Sequence, residues 1–243
     1  MNQSTQKKLT LQVDPKEVAY LIQNQLTNEI LHFRSYALDP FKNLELELEK
    51  MFSSDELLFT DFDEVEILHK NNLNTLVPNE FFNEAVLGSY LQYNVKVFPT
   101  DFFASDELVT IKANNVYVPY VAFNNYFIDK FGSFTYKHIF TPLIEYASSQ
   151  PSKDEQKIWL YKSDETLVIL AFKNNELMFF NSFDYKRNQI HHSQIEQRRH
   201  KHRHYVARHI LPRTNIFGRH IKVIHPHHAH NRRLLYHSNN FVA

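Results

Sequence analysis

The stretch LTLQVDPKEVAYLIQNQLTNEILHF, residues 9–33, returns as a pattern in KIWLYKSDETLVILAFKNNELMFFNSF, residues 157–183. In the first copy LTLQV (9–13), EVAYLIQN (17–24) and EILHFRSYAL (29–38) are runs of β-branched, aromatic and aliphatic residues. They are separated by Asp14-Pro15-Lys16 and by Gln25-Leu26-Thr27-Asn28. Such runs broken by turn formers predict a three-stranded antiparallel meander. In the second copy KIWLYKSD, TLVILAFKNN and ELMFFNSFDY are divided at Ser163-Asp164-Glu165 and Lys173-Asn174-Asn175. The two meanders share pattern rather than identity, and together they predict a duplicated architecture.

Between the copies the periodicity alternates between helix and strand. Pro40 suits a first helical turn, and FKNLELELEKMFSS carries Phe41, Leu44, Leu46, Leu48 and Met51 along a helix that ends at Ser53-Ser54. FDEVEILHKNNLNTLVPNEFF (62–82) predicts two strands around Asn71-Asn72, the second ended by Val77-Pro78, and FFNEAVLGSYLQY a short helix. NVKVFPTDF, ELVTIKANN and VYVPYVAFN read as further strands with turns at Ser105-Asp106 and Asn114-Asn115. NNYFIDKFG predicts a helix capped by Gly132, and FTYKHIFTPLIEYAS one or two strands reaching Ser149. The polar SSQPSKDEQ (148–156), with Pro151, marks a boundary. The resulting division is a first subdomain over 1–150, the start of a second over 151–185, and a tail over 186–243.

With 243 residues, 43% of them apolar, the chain has enough material for a buried core. It contains no cysteine, which excludes disulfides, thiolate zinc sites and cysteine nucleophiles and suits a reducing cytoplasm. The opening MNQSTQKKLTLQVD lacks an apolar signal core, and no run approaches the ~20 apolar residues of a membrane span. The zero net charge conceals a division: residues 1–185 hold 15 Lys+Arg against 26 Asp+Glu, whereas 186–243 hold 12 against the single Glu196. Histidine follows the same split, with His32, His69 and His138 in the body and twelve more in the tail.

Two β-β-β-α units, the first with an inserted α/β subdomain, resemble the duplicated core shared by actin, sugar kinases and Hsp70 chaperones. The body is most similar to an uncharacterised family of Bacteroidetes proteins with an actin-like ATPase fold and no assigned activity. The likeness is carried by LTLQVDPKEVAYLIQNQLTNEILHF, TLVPNEFF (75–82) and LVILAFKNNELMFFNSF (167–183), and covers residues 1–185. It implies an actin-like, ribonuclease H-like α/β fold with mixed sheets, whose second half is cut short at Tyr185. In the superfamily's ATPases the first-strand turn is an Asp-x-Gly loop, where glycine lets backbone N–H groups approach phosphates and the carboxylate helps hold metal and water. Here that turn is Asp14-Pro15-Lys16, and its counterpart is Ser163-Asp164-Glu165. Gly88, Gly132 and Gly218 are the chain's glycines, so neither turn has one. The resemblance therefore implies an ATPase-like fold without ATPase activity: no enzyme, no catalytic residues, no cofactor and no metal ligands.

Other candidates have plainer readings. Asp14 beside proline suits a turn former better than a catalytic carboxylate. Asp61-Phe62-Asp63-Glu64 offers oxygens for a divalent cation but lacks the spacing and glycine of a calcium loop. Lys16 and Lys137 are single basic residues with a nominal reach to phosphate, and His32, His69 and His138 show no ligand spacing. In the tail, His200, His202 and His204 with His225, His227, His228 and His230 present imidazoles to a metal, while the arginines with Tyr205, Phe217 and Tyr236 suit weak, non-specific nucleic-acid binding. A third reading is genetic. Arg, His, Gln and Pro all use codons beginning with C, and shifting codons compatible with IEQRRHKHRHYVAR (195–208) by one base permits an acidic turn followed by a strand start. The tail is accordingly expected to be disordered or frameshifted. The functional expectation is a cytoplasmic, non-catalytic interaction or scaffold protein with an unknown protein partner and no membrane association. The alternatives are a nucleotide-binding protein whose cleft joins 9–39 to 157–185, and a basic-tail binder of RNA or metal.

Overall fold

The computed structural model describes residues 6–98, 100–150, 156–163, 165–184 and 221–224. The chain divides into two compact units, Met1–Glu145 and Tyr146–Ala243. The division falls slightly before the polar 148–156 segment.

The first unit opens with the expected meander, β1 (Lys7–Asp14), β2 (Glu17–Asn24) and β3 (Glu29–Ala37). The helix α1 (Leu44–Ser53) follows, and Asn43 caps it by accepting a hydrogen bond from Leu46 N at 3.1 Å. Strand β4 (Glu64–His69) lies parallel to β1 on the side away from β2. An insertion then builds its own sheet from β5 (Asn74–Pro78), β6 (Ala104–Leu108) and β7 (Ala113–Tyr117), ordered β5-β7-β6, with the short α2 (Leu87–Leu91) beside it. The chain returns through α3 (Val121–Phe131) and β8 (Thr135–His138), which completes the main sheet in the order β3-β2-β1-β4-β8. One face of that sheet presents Leu9, Leu11 and Val13, Val18, Tyr20 and Ile22, and Val65 and Ile67. The period of two along each strand brings them together against Leu48, Met51 and Phe52 of α1 and Phe123 and Phe127 of α3, closing one core.

The helix α4 (Phe140–Ser149) crosses from the first unit into the second. There β9 (Gln156–Lys162), β10 (Thr166–Lys173) and β11 (Glu176–Asp184) form the second meander. Its β10–β11 turn places Asn174 and Asn175 at φ of 51° and 65°, the two positive values a two-residue hairpin of primed type needs. Both faces of β10 are buried: Ile169 and Ala171 join Ile158 on one, while Val168, Leu170 and Phe172 lie on the other. Such a strand reads as a nearly continuous apolar run.

Several expectations are corrected. FTPLIEYAS is the helix α4, its buried Phe140, Ile144 and Ala147 following a helical stripe, with Pro142 in the first turn where no N–H is required. Ser105-Asp106 and Asn114-Asn115 lie inside β6 and β7 rather than in turns; the reversal comes at 109–112, where Lys112 takes φ of 52°. The described part of NVKVFPTDF contains no strand. β4 and β5 belong to different sheets. The strand pattern also resumes beyond Tyr185: β12 (Ile221–Ile224) pairs in parallel with β9, giving the order β11-β10-β9-β12. This repeats the β3-β2-β1-β4 order of the first unit, including the parallel fourth strand.

Candidate functional site

The turn that would carry phosphate chemistry in an ATPase of this fold is closed by its own side chain. Proline fixes φ of Pro15 and supplies no N–H, and Lys16 has no positive φ, so the two-residue turn is of the unprimed kind. Asp14 Oδ1 accepts from Lys16 N at 2.8 Å and Glu17 N at 3.0 Å. Its Oδ2 accepts from Lys70 Nζ at 2.9 Å. Lys70 is delivered there because β4 runs parallel to β1, and its own N–H extends the ladder to Val13 O at 2.9 Å. Asp14 therefore acts as the turn former that its neighbour proline suggested, with both oxygens engaged.

The same strand ends carry an aromatic lid. Tyr120, the residue before α3, donates its hydroxyl to Lys70 O at 3.1 Å and its N–H to His69 Nδ1 at 3.1 Å. Burial, reinforced by the negative charge of Asp14, raises the Tyr120 pKa. Tyr120 also lines a cleft of about 460 Å3 on the first unit, whose walls include Pro15, Leu38, Pro40, Phe102 and Pro119. Its charged lining is Asp39, Glu47 and Asp101 against Lys42.

Behind the lid lies a buried polar cluster that the sequence scattered. The β4–β8 register sets His69 opposite His138, and both are fully buried. His138 Nδ1 accepts from Phe140 N at 3.2 Å, leaving Nε2 to donate to Asn71 O at 3.1 Å. Burial, with the neighbouring His69 adding to it, lowers the His138 pKa to about 3, and burial lowers that of His69 to about 4 despite the nearby Asn124 amide. Asp106 of β6 accepts from His138 N at 2.8 Å, Thr141 Oγ1 at 2.6 Å and Tyr117 hydroxyl at 3.0 Å; burial nevertheless raises its pKa. Asn115 of β7 continues the network by donating to Thr141 Oγ1 at 3.0 Å and accepting from Asn74 at 2.8 Å. The bonds of Asp106 to His138 N and Thr141, and of Asn115 to Thr141, join the insertion to β8 and α4, so the cluster fastens the insertion to the main sheet. A sequence signal did exist: two strands, EVEILH and TYKH, each end on a histidine.

The remaining candidates are spoken for or lie elsewhere. His32 is exposed on β3. Asp63 accepts from Lys7 N at 2.8 Å, while Glu64 holds Lys8 at 2.6 Å and also the Gln25 amide, so these two acids of the run are spent where β1 and β4 begin their pairing. Lys137 faces Glu66 at 3.6 Å. Among the described residues no group of three His, Cys, Asp or Glu side chains is placed to hold a metal ion. Gly132 caps α3 at φ of 75°, and a Cβ on Gly88 would come within 2.8 Å of the Phe103 ring; neither lies at a phosphate turn. In the second turn Ser163 and Thr166 close on each other, Ser163 N donating to Thr166 O at 2.9 Å and Thr166 N to Ser163 Oγ at 3.0 Å. Asp164, Gly218, His200, His202, His204, Tyr205, Phe217, His225, His227, His228, His230 and Tyr236 lie outside the described residues.

Comparison with known proteins agrees with the repeated sheet order. A Bacteroides thetaiotaomicron protein with an actin-like ATPase fold and unknown function superposes with a TM-score of 0.68 at 16% identity, covering 84% of this chain and 78% of that one. The match shows an actin-like ATPase fold for this chain. Weaker likenesses extend to the cytoplasmic domain of EpsL from the Vibrio cholerae type II secretion system, with TM-score 0.44, 13% identity and coverage of 73% and 71%. They also include the PilM–PilN type IV pilus biogenesis complex, with TM-score 0.46, 15% identity and coverage of 82% and 71%. No curated protein matches the chain. A family model described as a protein of unknown function, DUF3822, matches residues 1–190, and the chain belongs to that family.

Proposed function

We propose that the chain is a cytoplasmic, non-catalytic interaction protein that retains an actin-like body without nucleotide hydrolysis. One observation carries this reading: Asp14, placed where the fold's ATPases put a catalytic carboxylate, spends both oxygens on Lys16 N, Glu17 N and Lys70. A phosphate entering that turn would meet a proline with no N–H and a carboxylate already neutralised by its own cation. A fold kept while its chemical turn is closed points to binding through surface rather than through reaction. The cysteine-free composition suits the cytoplasm, and no helix among the described residues is long and apolar enough to cross a membrane. Calorimetric titration of the full chain with magnesium-ATP, paired with a phosphate-release assay, tests the reading. No measurable heat of binding and no release above buffer are expected; micromolar affinity or turnover refutes it.

The charge of the tail favours a second, additional activity. Twelve Lys+Arg against one acidic residue in 186–243 give a polycation that neutralises phosphates without a fixed fold. RNA binding by the full chain is then weak, indifferent to sequence and steeply reduced by salt. Preference for one RNA at physiological salt, or ordering of the tail by one equivalent of zinc, refutes this in favour of a selected module or a metal site.

A further inference from the structure

We propose that the 460 Å3 cleft of the first unit receives a short segment of a partner protein, an apolar anchor flanked by lysine or arginine. The inference rests on the interaction reading above and assigns that interaction a place and a chemistry. The volume lies within the roughly 300–1,000 Å3 of clefts that hold ligands. Pro15, Pro40 and Pro119 restrict the backbone at three points of its wall, and Tyr120 is held at both its hydroxyl and its N–H. A wall that does not reorganise keeps the entropy cost of binding low.

The rim supplies contact area that the fold does not use. Phe41, between the lining residues Pro40 and Lys42, is 96% exposed, and Phe98 and Phe102 are 53% and 55% exposed. The Phe98 N–H donates to the lining Asp101 Oδ2 at 2.8 Å, and Lys96 lies over the Phe98 ring at 5.1 Å. Aromatic side chains presented around a concave apolar floor are the usual anchors of peptide recognition.

Charge selects the occupant. The lining holds three carboxylates, Asp39, Glu47 and Asp101, against Lys42, which is already paired with Asp39 at 3.3 Å. Glu47 is matched by Lys50 at 2.6 Å, whereas Asp101 accepts from Phe98 N and forms no ion pair among the described residues. Phosphate groups of a nucleotide or RNA would meet net negative charge here, whereas a peptide cation would find it complementary.

The test uses the full chain and three fluorescein-labelled nonapeptides read by anisotropy. The first has a Leu-Phe-Leu core flanked by four lysines and arginines, the second the same core flanked by glutamates, and the third the basic flanks around a serine core. The first peptide is expected to bind and the other two to bind at least tenfold more weakly. Phe41→Ala should weaken the first peptide roughly fivefold or more, as loss of an exposed aromatic anchor does. Asp101→Asn, which keeps the acceptor for Phe98 N and removes the charge, should weaken it by about two- to fivefold at low salt. Equal binding of the basic and serine-core peptides, no binding of the first, or indifference to both substitutions overturns the proposal. Nucleotide titration on the same samples separates the two claims. ATP turnover with intact peptide binding removes the non-catalytic reading and leaves this one standing; no turnover with no peptide binding does the reverse.

Discussion

Acidification from pH 7 to pH 5 should unfasten the first unit before the second. His69 and His138 are neutral in the folded chain, with pKa values of about 4 and about 3, while an unfolded histidine titrates near ~6.5. The folded values are depressed, so below ~6.5 the unfolded chain binds protons that the folded chain refuses, and stability falls with pH. At ~1.4 kcal/mol per pH unit for each histidine, the ~1.5 units between ~6.5 and pH 5 cost about 2 kcal/mol apiece and about 4 kcal/mol for the pair. Asp106 works in the opposite direction: its pKa is raised by burial, so its own penalty is relieved as pH falls, and the figure for the pair is an upper one.

Hydrogen exchange resolved by peptide, with intrinsic rates corrected for pH, reads the two units separately. Protection of β4 (Glu64–His69) should fall by about two to three orders of magnitude between pH 7 and pH 5. That of β10 (Thr166–Lys173) should change little, because no histidine lies among the described residues of the second unit. His138→Leu lowers the starting stability, but it removes one of the two titrating groups and so halves the slope. Unchanged protection of β4 across this range, or an undiminished slope in His138→Leu, refutes the account of a neutral buried pair.

Two substitutions check other elements. Asp55, 1% exposed, accepts the hydroxyls of Tyr20 and Tyr36, takes Leu57 N at 3.2 Å and pairs with Arg34 at 2.9 Å. Asp55→Asn sets an amide against donors and should lower the urea midpoint by an amount equal to about 2–4 kcal/mol. Gly132→Ala meets no atom within 4 Å, yet its φ of 75° should cost about 1–2 kcal/mol in backbone strain, seen as a fall in melting temperature.

The elements legible in the sequence are those whose cause is local. Three apolar runs and a two-residue turn specify a meander, Asn174-Asn175 specifies the turn that joins β10 to β11, and Leu44, Leu48 and Met51 specify α1, although it begins at Leu44 behind Asn43 and leaves Pro40 and Phe41 in the preceding turn. The misread elements owe their state to distant partners. Asp106 and Asn115 have turn composition, but Asp106 finds Tyr117, His138 and Thr141, and Asn115 finds Asn74 and Thr141. Those contacts satisfy polar groups that would otherwise be costly to bury, and no local window contains them. The closed turn at Asp14 was legible because proline and the missing glycine are written in the chain; its partner Lys70 was not, since only the parallel β1–β4 register brings it there. For His69 and His138 the sequence shows only that two strands each end on a histidine; the β4–β8 register is what sets them opposite each other.

The strand β12 tests whether the second unit completes its repeat. It lies beyond residue 190, where the family match ends, within a segment of +11 charge, yet it takes the position beside β9 that β4 takes beside β1. A run of β-branched residues pairs readily with any open edge, so position alone does not separate a native fourth strand from an opportunistic one. The separation is energetic. A native strand shares the stability of the sheet, and removing its ladder should expose the Ile158–Tyr161 amides of β9 that face it. Chains ending at Asp184 and at Ile224, and the full chain carrying Val223→Pro, isolate that ladder, because proline takes away a ladder N–H. If β12 is native, the chain ending at Ile224 protects β9 as the full chain does. The chain ending at Asp184 and the proline variant then exchange those amides at least tenfold faster, and Trp159, buried on β9, shifts its emission to the red. Equal exchange in all four chains would mean that β12 is not held in solution, that the second unit rests on its meander, and that the histidine- and arginine-rich segment contributes charge rather than structure.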